Sequence, residues 1–398
     1  MEYMFRNTSI NQDLGDWNIS SVTDMQHMFD GVTLSTANYD SLLIGWASQA
    51  PSIQDNVTFS GGNSKYSISA LSARNNTLVD TWDWVITDGG MESVNFFISN
   101  WNTSLTSTGS SNSTTINLPL ESSGTYNFLI FWGDESTGTV TSHDDPDRNH
   151  TYSSEGVYQI NISGTIQGFR FANNGDKLKL IDISQWGDLR LGNSGNYFWG
   201  CSNFNSTATD ALNLTGTDNL WYTFYDAINF NGDINNWDVS GVENMGRMFY
   251  GATSFNQNLS SWNVSNVTDM RDMFRGATSF NHSLNSWDVR HVENMANMFY
   301  SATSFNQDLD QWHTDSLTTA NAVFFGATNF NGNISTWNLS GVSILTDFFR
   351  DASAFNKSIN GWDVSAVTNF QEMFSGATVF NQPLNGWNTS SAIQMPYM

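Results

Sequence analysis

Hydrophobic positions recur every 25 residues through the second half of the chain. Tryptophans mark this period most clearly, at Trp237, Trp262, Trp287, Trp312, Trp337, Trp362 and Trp387. Columns of phenylalanine and of leucine or isoleucine keep the same register, as at Phe249, Phe255 and Leu259. A fixed period between about 20 and 50 residues is the signature of a repeat architecture. The sequence therefore predicts seven repeats between residues 224 and 398.

Within a repeat the hydrophobic period changes. Met270, Met273 and Phe274 have the spacing of one face of a short helix, with Ser265 before it as a cap and Gly276 after it as a stop. The tryptophan and the second residue after it alternate with polar neighbours, the pattern of a short strand. We predict an α/β solenoid, leucine-rich-repeat-like, in which each 25-residue unit carries a short strand and a short helix and stacks on its neighbours.

An asparagine column accompanies the hydrophobic ones. Its members are Asn231, Asn256, Asn281, Asn306, Asn331, Asn356 and Asn381. We expect their side-chain amides to bond neighbouring repeats as a ladder. A ligand groove is the alternative interpretation.

The stretch "FNQNLSSWNVSNVTDMRDMF" at residues 255–274 resembles the bacterial-surface-protein 26-residue repeat of BspA-like leucine-rich-repeat surface proteins. This resemblance extends over most of the chain. It implies a solenoid on a cell surface or in secreted material, used for adhesion or structure, and no catalytic residues.

The middle of the chain has β patterning instead. Trp132-Gly133-Asp134, His150-Thr151-Tyr152 and Gly156-Val157-Tyr158 resemble motifs of polycystic-kidney-disease-type (PKD) domains, which implies an all-β immunoglobulin-like sandwich over residues 91–164. Its acidic loop, with Asp144, Asp145 and Asp147, offers oxygen ligands for calcium, although a solvated loop is the simpler interpretation. No other cofactor is expected.

The remaining segments are predicted to complete the solenoid. Residues 1–90 are interpreted as the C-terminal part and exit cap of a repeat solenoid, and residues 165–223 as the entry cap of the repeats at 224–398. Caps are needed because a terminal repeat otherwise exposes apolar surface and strand edge. Cys201, the single cysteine, is expected to be a small buried hydrophobe.

The phrases "MEYMF" and "MPYM" hold the same place in the repeat, so we expect an open repeat at each. Stacking of such open repeats between copies is heterologous, and heterologous contacts build filaments unless they close into a ring. The predicted assembly interface is Met1, Tyr3, Met4, Phe5, Met395, Tyr397 and Met398. Whether successive periods are covalently continuous stays open.

Charge and sequons bear on partners and location. The chain has 14 Lys and Arg against 38 Asp and Glu, so its net charge is −24. This charge disfavours binding to nucleic acid and to anionic membrane surfaces. No apolar run is long enough to suggest membrane insertion. Eighteen Asn-x-Ser/Thr sequons are candidate N-glycosylation sites, and any targeting segment lies outside this numbering. They are Asn7, Asn18, Asn56, Asn75, Asn102, Asn112, Asn149, Asn161, Asn205, Asn213, Asn258, Asn263, Asn266, Asn281, Asn333, Asn338, Asn356 and Asn388.

Three functional hypotheses follow. The favoured one is a structural subunit of an extracellular or cell-surface filament or tandem array, assembled head to tail from copies of itself and glycosylated. The alternative is an adhesin or ligand-binding module that recognises a host protein or glycan. An enzyme is not expected, because the chain has no metal-binding, phosphate-loop or nucleophile motif.

Overall fold

The computed structural model describes residues 1–92 and 95–398, so positions 93 and 94 of the predicted 91–164 segment lie outside it. The chain divides into two compact units, Met1–Asn95 and Phe96–Met398. Each unit has its own hydrophobic core. They are called the N-terminal unit and the C-terminal unit below.

The N-terminal unit combines a small parallel sheet with helices. Its elements are β1 (Asp24–Met25), α1 (Thr36–Ala47), β2 (Thr58–Ser60), a 3-10 turn (Ile68–Ala70), a π-helical stretch (Ser72–Val79) and β3 (Val85–Thr87). The strand order is β1-β2-β3. Ser35 caps the N-terminus of α1, where its side chain accepts a hydrogen bond from the Asn38 N–H. Trp46 near its end is buried and donates through its indole N–H to the Leu14 carbonyl.

A larger sheet opens the C-terminal unit. Its strands are β4 (Phe97–Asn102), β5 (Thr115–Asn117), β6 (Leu120–Phe131), β7 (Thr137–Val140), β8 (Asn149–Thr151), β9 (Val157–Phe169), β10 (Leu180–Gln185), β11 (Leu189–Arg190) and β12 (Asn205–Ser206), with a 3-10 turn at Pro146–Arg148. The order is β12-β10-β4-β9-β6-β7, β11 pairs with β9, and β5 pairs with β8 alone.

The predicted fold class is wrong for this region. The main sheet extends beyond the segment predicted as an immunoglobulin-like sandwich, because β10 and β12 join it through β4. The buried residues of the sheet and of the repeats form one continuous cluster, from Phe97 to Met373. Cys201 lies inside this cluster, as expected, together with the equally buried Trp186. Burial raises the pKa of the Cys201 thiol well above its usual value.

The predicted α/β solenoid is also wrong. The repeats contain neither the short helix nor the short strand: their backbone consists of successive turns and single-residue parallel bridges, such as that between Asn244 and Asp269. The described residues are mostly β and irregular, and among them α1 is the only α-helix longer than one residue.

Left-handed residues explain why no helix forms. Asp272 and Gly276 have φ values of 53° and 70°, and every repeat has positive φ at the equivalents of Asp272. A right-handed helix cannot pass through such residues. Successive backbone N–H groups therefore alternate between two kinds of acceptor. Those of Met273 and Arg275 donate to the carbonyl three residues earlier. Those of Asp272, Phe274 and Gly276 donate to carbonyls of the next repeat. The hydrophobic spacing of about three residues, which had predicted a helix, therefore comes from these successive turns.

The predicted asparagine ladder is confirmed. The side-chain oxygens of the six asparagines from Asn231 to Asn356 each accept from the backbone N–H of the asparagine 25 residues later, at distances of 2.8–3.0 Å. The ladder runs along the surface, where Asn256 and Asn281 are exposed. It fixes the register between repeats because a shift by one residue would unpair every amide.

Candidate assembly surfaces

Interior repeats cover each other on both sides. The Phe299 ring lies between those of Phe274 and Phe324, with centroids 5.6 and 5.5 Å away and planes within 4° of parallel. Phe305 of the same repeat is 4.1 Å away. All four rings are fully buried. A repeat therefore completes its core only when it has a neighbour on each side.

One repeat of the C-terminal unit lacks this cover. Its residues Phe374, Phe380, Leu384 and Trp387 form what we call the C-terminal face, and all four are only partly buried. Their equivalents one repeat earlier are 0–2 % exposed. The predicted interface residues Met395, Tyr397 and Met398 lie beside this face and are 43 %, 80 % and 37 % exposed.

The C-terminal face also leaves repeat hydrogen bonds unmade. The Asn381 N–H donates to Asn356, but its own side-chain oxygen receives no N–H within the unit. The Trp387 indole donates to the Ile359 carbonyl, whereas no indole reaches the Leu384 carbonyl among the described residues. The Gly376 N–H likewise has no acceptor there, although Gly276 and Gly326 each donate to the next repeat.

The N-terminal unit has a matching edge. Phe5, Ile10 and Trp17, here called the N-terminal face, are partly buried, while the next equivalent of Phe5, Phe29, is fully buried. Phe5 stacks on Phe29 at 5.5 Å and lies 5.8 Å from Trp17. Its backbone N–H donates to Met28, as in the repeats. The predicted interface residues Met1, Tyr3 and Met4 are exposed at this edge.

The N-terminal face carries the complementary polar groups. The Asn11 side-chain oxygen accepts from the Ser35 N–H at 2.8 Å, as a ladder asparagine does. The Asn11 N–H and the Trp17 indole N–H have no acceptor among the described residues of this unit. This edge thus has unpaired donors at the positions where the C-terminal face lacks an incoming donor, although the Leu384 carbonyl already accepts from the Trp387 N–H.

A third surface, which sequence reasoning missed, runs along the side of the repeats. Tyr225 stacks on Tyr250 at 4.3 Å, and the Arg275 guanidinium lies between the rings of Tyr250 and Tyr300, 5.3 and 4.1 Å from their centroids. Tyr300 stacks in turn on Phe325. These residues share the 25-residue register and follow the buried phenylalanine, a signal visible in the sequence. Because the faces are covered, the rings present their edges to solvent.

The candidate glycosylation sites are all at least partly accessible. Those classed as exposed are Asn7, Asn18, Asn56, Asn112, Asn149, Asn258, Asn263, Asn266, Asn281 and Asn388. The half-buried ones are Asn75, Asn102, Asn161, Asn205, Asn213, Asn333, Asn338 and Asn356.

Many sequons have a local structural role. The side-chain oxygen of Asn263 accepts from the Ser265 N–H two residues later, and eight other sequon asparagines make the same turn. Asp238 and Asp363 make it in other repeats. This turn explains why Asn and Asp alternate after the tryptophan. Ser265 is therefore not the helix cap predicted from the sequence.

The acidic loop is organised by its own backbone. The Asp145 carboxylate accepts from the N–H groups of Thr141 and Asp147, and Asp147 accepts from Thr139. The hydrogen bond from the Thr141 N–H keeps the pKa of Asp145 below its ordinary value. Among the described residues no group of three His, Cys, Asp or Glu side chains is arranged to hold a metal ion.

The repeats match a known protein family. A family model described as "Mycoplasma protein of unknown function, DUF285" matches residues 1–61, 168–270, 218–324 and 304–398. Neither a curated protein nor a solved structure matches the chain. In the described part of the chain, the helices are too short or too polar to span a bilayer. The family matches cover well over half of this tandem-repeat chain, which therefore belongs to the DUF285 family.

Proposed function

We propose that the chain is a structural subunit of an extracellular or cell-surface filament or tandem array, in which the C-terminal face of one copy stacks on the N-terminal face of the next. The observation that carries this proposal is the pair of uncovered repeat faces. Each exposes apolar rings, and their unmade hydrogen bonds are of opposite kinds. The resemblance of the repeats to those of BspA-like surface proteins agrees with such a role.

Burial of the two faces supplies the driving force. Phe380 and Trp387 on one face and Phe5 and Trp17 on the other are half-buried rings. Fully burying one large apolar side chain is worth about 1.5–3 kcal/mol, so several half-buried rings together can offset part of the cost of association. The contact joins two different faces, and repetition of such a contact extends without limit unless it closes into a ring.

Net charge opposes the same contact. Copies that each carry −24 repel one another, and added salt screens this repulsion over a distance of about 10 Å at 0.1 M. We therefore expect assembly to increase with ionic strength. An assembly held mainly by ion pairs would show the opposite dependence.

Electron microscopy and sedimentation of the purified chain test the proposal. Wild-type protein should form fibres with an axial repeat of one chain at high concentration and moderate salt. Phe380→Lys places a charge on the C-terminal face and should leave monomers. Ile228→Lys is the matched control, since Ile228 is an exposed apolar residue, 45 % accessible, in an interior repeat. Monomeric wild-type protein at all concentrations, or equal loss of fibres in both variants, would refute the filament.

We propose N-glycosylation only at exposed sequons such as Asn263 and Asn266, which lie on the flank of the repeats. Carbohydrate at these positions would coat a filament and leave the end faces free. Mass spectrometry of native material should find these asparagines modified. Unmodified Asn263 and Asn266 would remove glycosylation from the proposal and leave assembly unaffected.

An adhesin is the alternative function. The column of Tyr250, Arg275 and Tyr300 is a described surface that presents aromatic rings to solvent. Its ring faces are already occupied by one another and by arginine, which leaves no open platform for a sugar ring. The filament is therefore the better-supported function.

A further inference from the structure

We infer that the acidic loop guards an edge of the main sheet. The carboxylates of Asp145 and Asp147 occupy outward N–H groups of β7 and thereby keep β7 of a second copy from pairing with it. The contacts that hold the guard in place all lie within the C-terminal unit. The guard is therefore independent of the proposed stacking of the end faces.

Strand β7 lies at one end of the strand order of the main sheet. Among the described strands it pairs with β6 alone. Such a strand presents a row of backbone N–H and C=O groups with which a further strand can pair. Residues 137–141, Thr-Gly-Thr-Val-Thr, include no charged residue and no proline. The strand itself thus has neither the charges nor the prolines with which exposed edges commonly resist pairing.

Alternate residues of β7 direct their backbone groups away from β6. In an antiparallel pair, successive residues direct their N–H and C=O groups in turn towards the partner strand and away from it. The Ser136 carbonyl accepts from the Trp132 N–H, at the end of β6, so Ser136 faces the β6 side. Thr137, Thr139 and Thr141 therefore face outward. Their side chains are exposed as well.

Two carboxylates occupy this outward row. Asp147 accepts from the Thr139 N–H at 3.0 Å, and Asp145 accepts from the Thr141 N–H and hydroxyl at 2.9 and 3.1 Å. Asp147 also covers Gly138, where an added Cβ would lie 3.0 Å from the Asp147 Cβ. Hydrogen bonds to an ionised acceptor are stronger than neutral ones. A second strand could reach these N–H groups only by displacing both carboxylates.

The loop is held in this position by contacts that do not involve β7. The second Asp145 oxygen accepts from the Asp147 N–H at 3.1 Å and caps the 3-10 turn that follows. The Arg148 guanidinium donates to the His143 carbonyl at 2.6 Å, and the Arg148 carbonyl accepts from the Leu118 N–H. The carboxylates are therefore fixed at the edge and do not depend on it for their position.

Strand β7 of a second copy is the partner that this edge fits. Two such strands could run antiparallel, each offering the outward groups of Thr137, Thr139 and Thr141 to the other. Opposed threonines are favourable cross-strand pairs. The contact would join identical surfaces and so associate two copies side by side. The guard excludes this lateral contact and leaves the end faces unaffected.

Sedimentation of full-length variants tests the guard. All carry Phe380→Lys, so that stacking of the end faces does not contribute. Asp145→Ala with Asp147→Ala frees the outward N–H groups and should strengthen self-association about ten- to a hundredfold through several added backbone hydrogen bonds. Asp144→Ala with Glu155→Ala is the matched control, since it also removes two negative charges, but neither carboxylate accepts from β7 among the described residues. This control should stay monomeric.

Proline at the edge supplies a rescue. Thr139→Pro, added to the Asp145 and Asp147 double variant, removes an outward N–H that has no part in the pairing of β7 with β6, and proline is tolerated at such positions of edge strands. The triple variant should return to monomer with an unchanged far-ultraviolet circular dichroism spectrum. In dilute protein, hydrogen exchange of the 137–141 amides should be faster in the double variant than in wild type, because two N–H groups have lost their acceptors.

Three results would overturn the guard. Equal association of the two double variants would mean that net charge alone keeps copies apart. Association that persists with Thr139→Pro would place the contact elsewhere, and a folded double variant that stays monomeric at every concentration would mean that the edge needs no guard. If the double variant does not fold, Asp147→Ala alone replaces it, with an expected gain of about two- to tenfold. These results leave the filament to its own test.

Discussion

An interior ring should contribute far more to stability than its equivalent at the C-terminal face. Phe299 is fully buried against three rings, at 4.1, 5.5 and 5.6 Å, and Phe299→Ala leaves a cavity that these rings cannot fill. Such a substitution costs about 3–5 kcal/mol. Phe380 contacts Phe374 and Phe355 at 4.3 and 5.8 Å but is half-exposed. Phe380→Ala should therefore cost about half as much, roughly 1.5–2.5 kcal/mol.

Urea unfolding followed by tryptophan fluorescence measures both costs. The protein is kept dilute, so that copies do not stack, and a second probe such as circular dichroism checks whether the repeats unfold together. At concentrations that favour assembly, Phe380 gains a cover and its cost should rise towards that of Phe299. The change with concentration is therefore part of the prediction.

Equal losses for the two variants in dilute protein would contradict this reasoning. They would mean that the C-terminal face is covered within a single chain. A Phe380→Ala cost that stays constant as concentration rises would instead mean that no copy covers the face. Either result bears directly on the proposed filament.

Three further predictions concern single residues. Lys179 is fully buried, lies 3.3 Å from Asp176 and donates to the carbonyls of Ser111, Asn112 and Thr115. In urea titrations, Lys179→Met should therefore lower the free energy of unfolding by about 3–5 kcal/mol. The control Lys357→Met, at a partly exposed lysine, should change it by less than about 0.5 kcal/mol. Ala322 has a φ of 53°, so Ala322→Gly should raise the thermal midpoint by relieving about 1 kcal/mol of strain; a lower midpoint would contradict this. Hydrogen bonds from the arginine two residues later hold the pKa of Asp288 at about 2, below its ordinary 3.8. Its stabilisation is present above pH 4 and lost as the pH falls to 2, so Asp288→Asn should flatten unfolding curves measured across that window.

Part of this architecture could be read from the sequence. The 25-residue register, the buried columns and the asparagine ladder were all predictable, because a repeated side-chain pattern requires equivalent residues to meet equivalent neighbours. Phe274 and Met273 are buried as expected, although the helix assigned to them is wrong. Burial follows from which side chains are apolar and how often they recur.

The backbone path was decided only by the tertiary structure. A period of about three residues suits both a short helix and a run of turns, and the choice depends on left-handed residues at Arg247, Asp272, Ala322 and Asp347. These positions share no residue type from which a positive φ could be predicted. They adopt it because their N–H groups then reach carbonyls of the next repeat, a gain that exists only once repeats are packed together. The extent of the sheet was hidden for the same reason: β10 and β12 find their partners from distant parts of the chain.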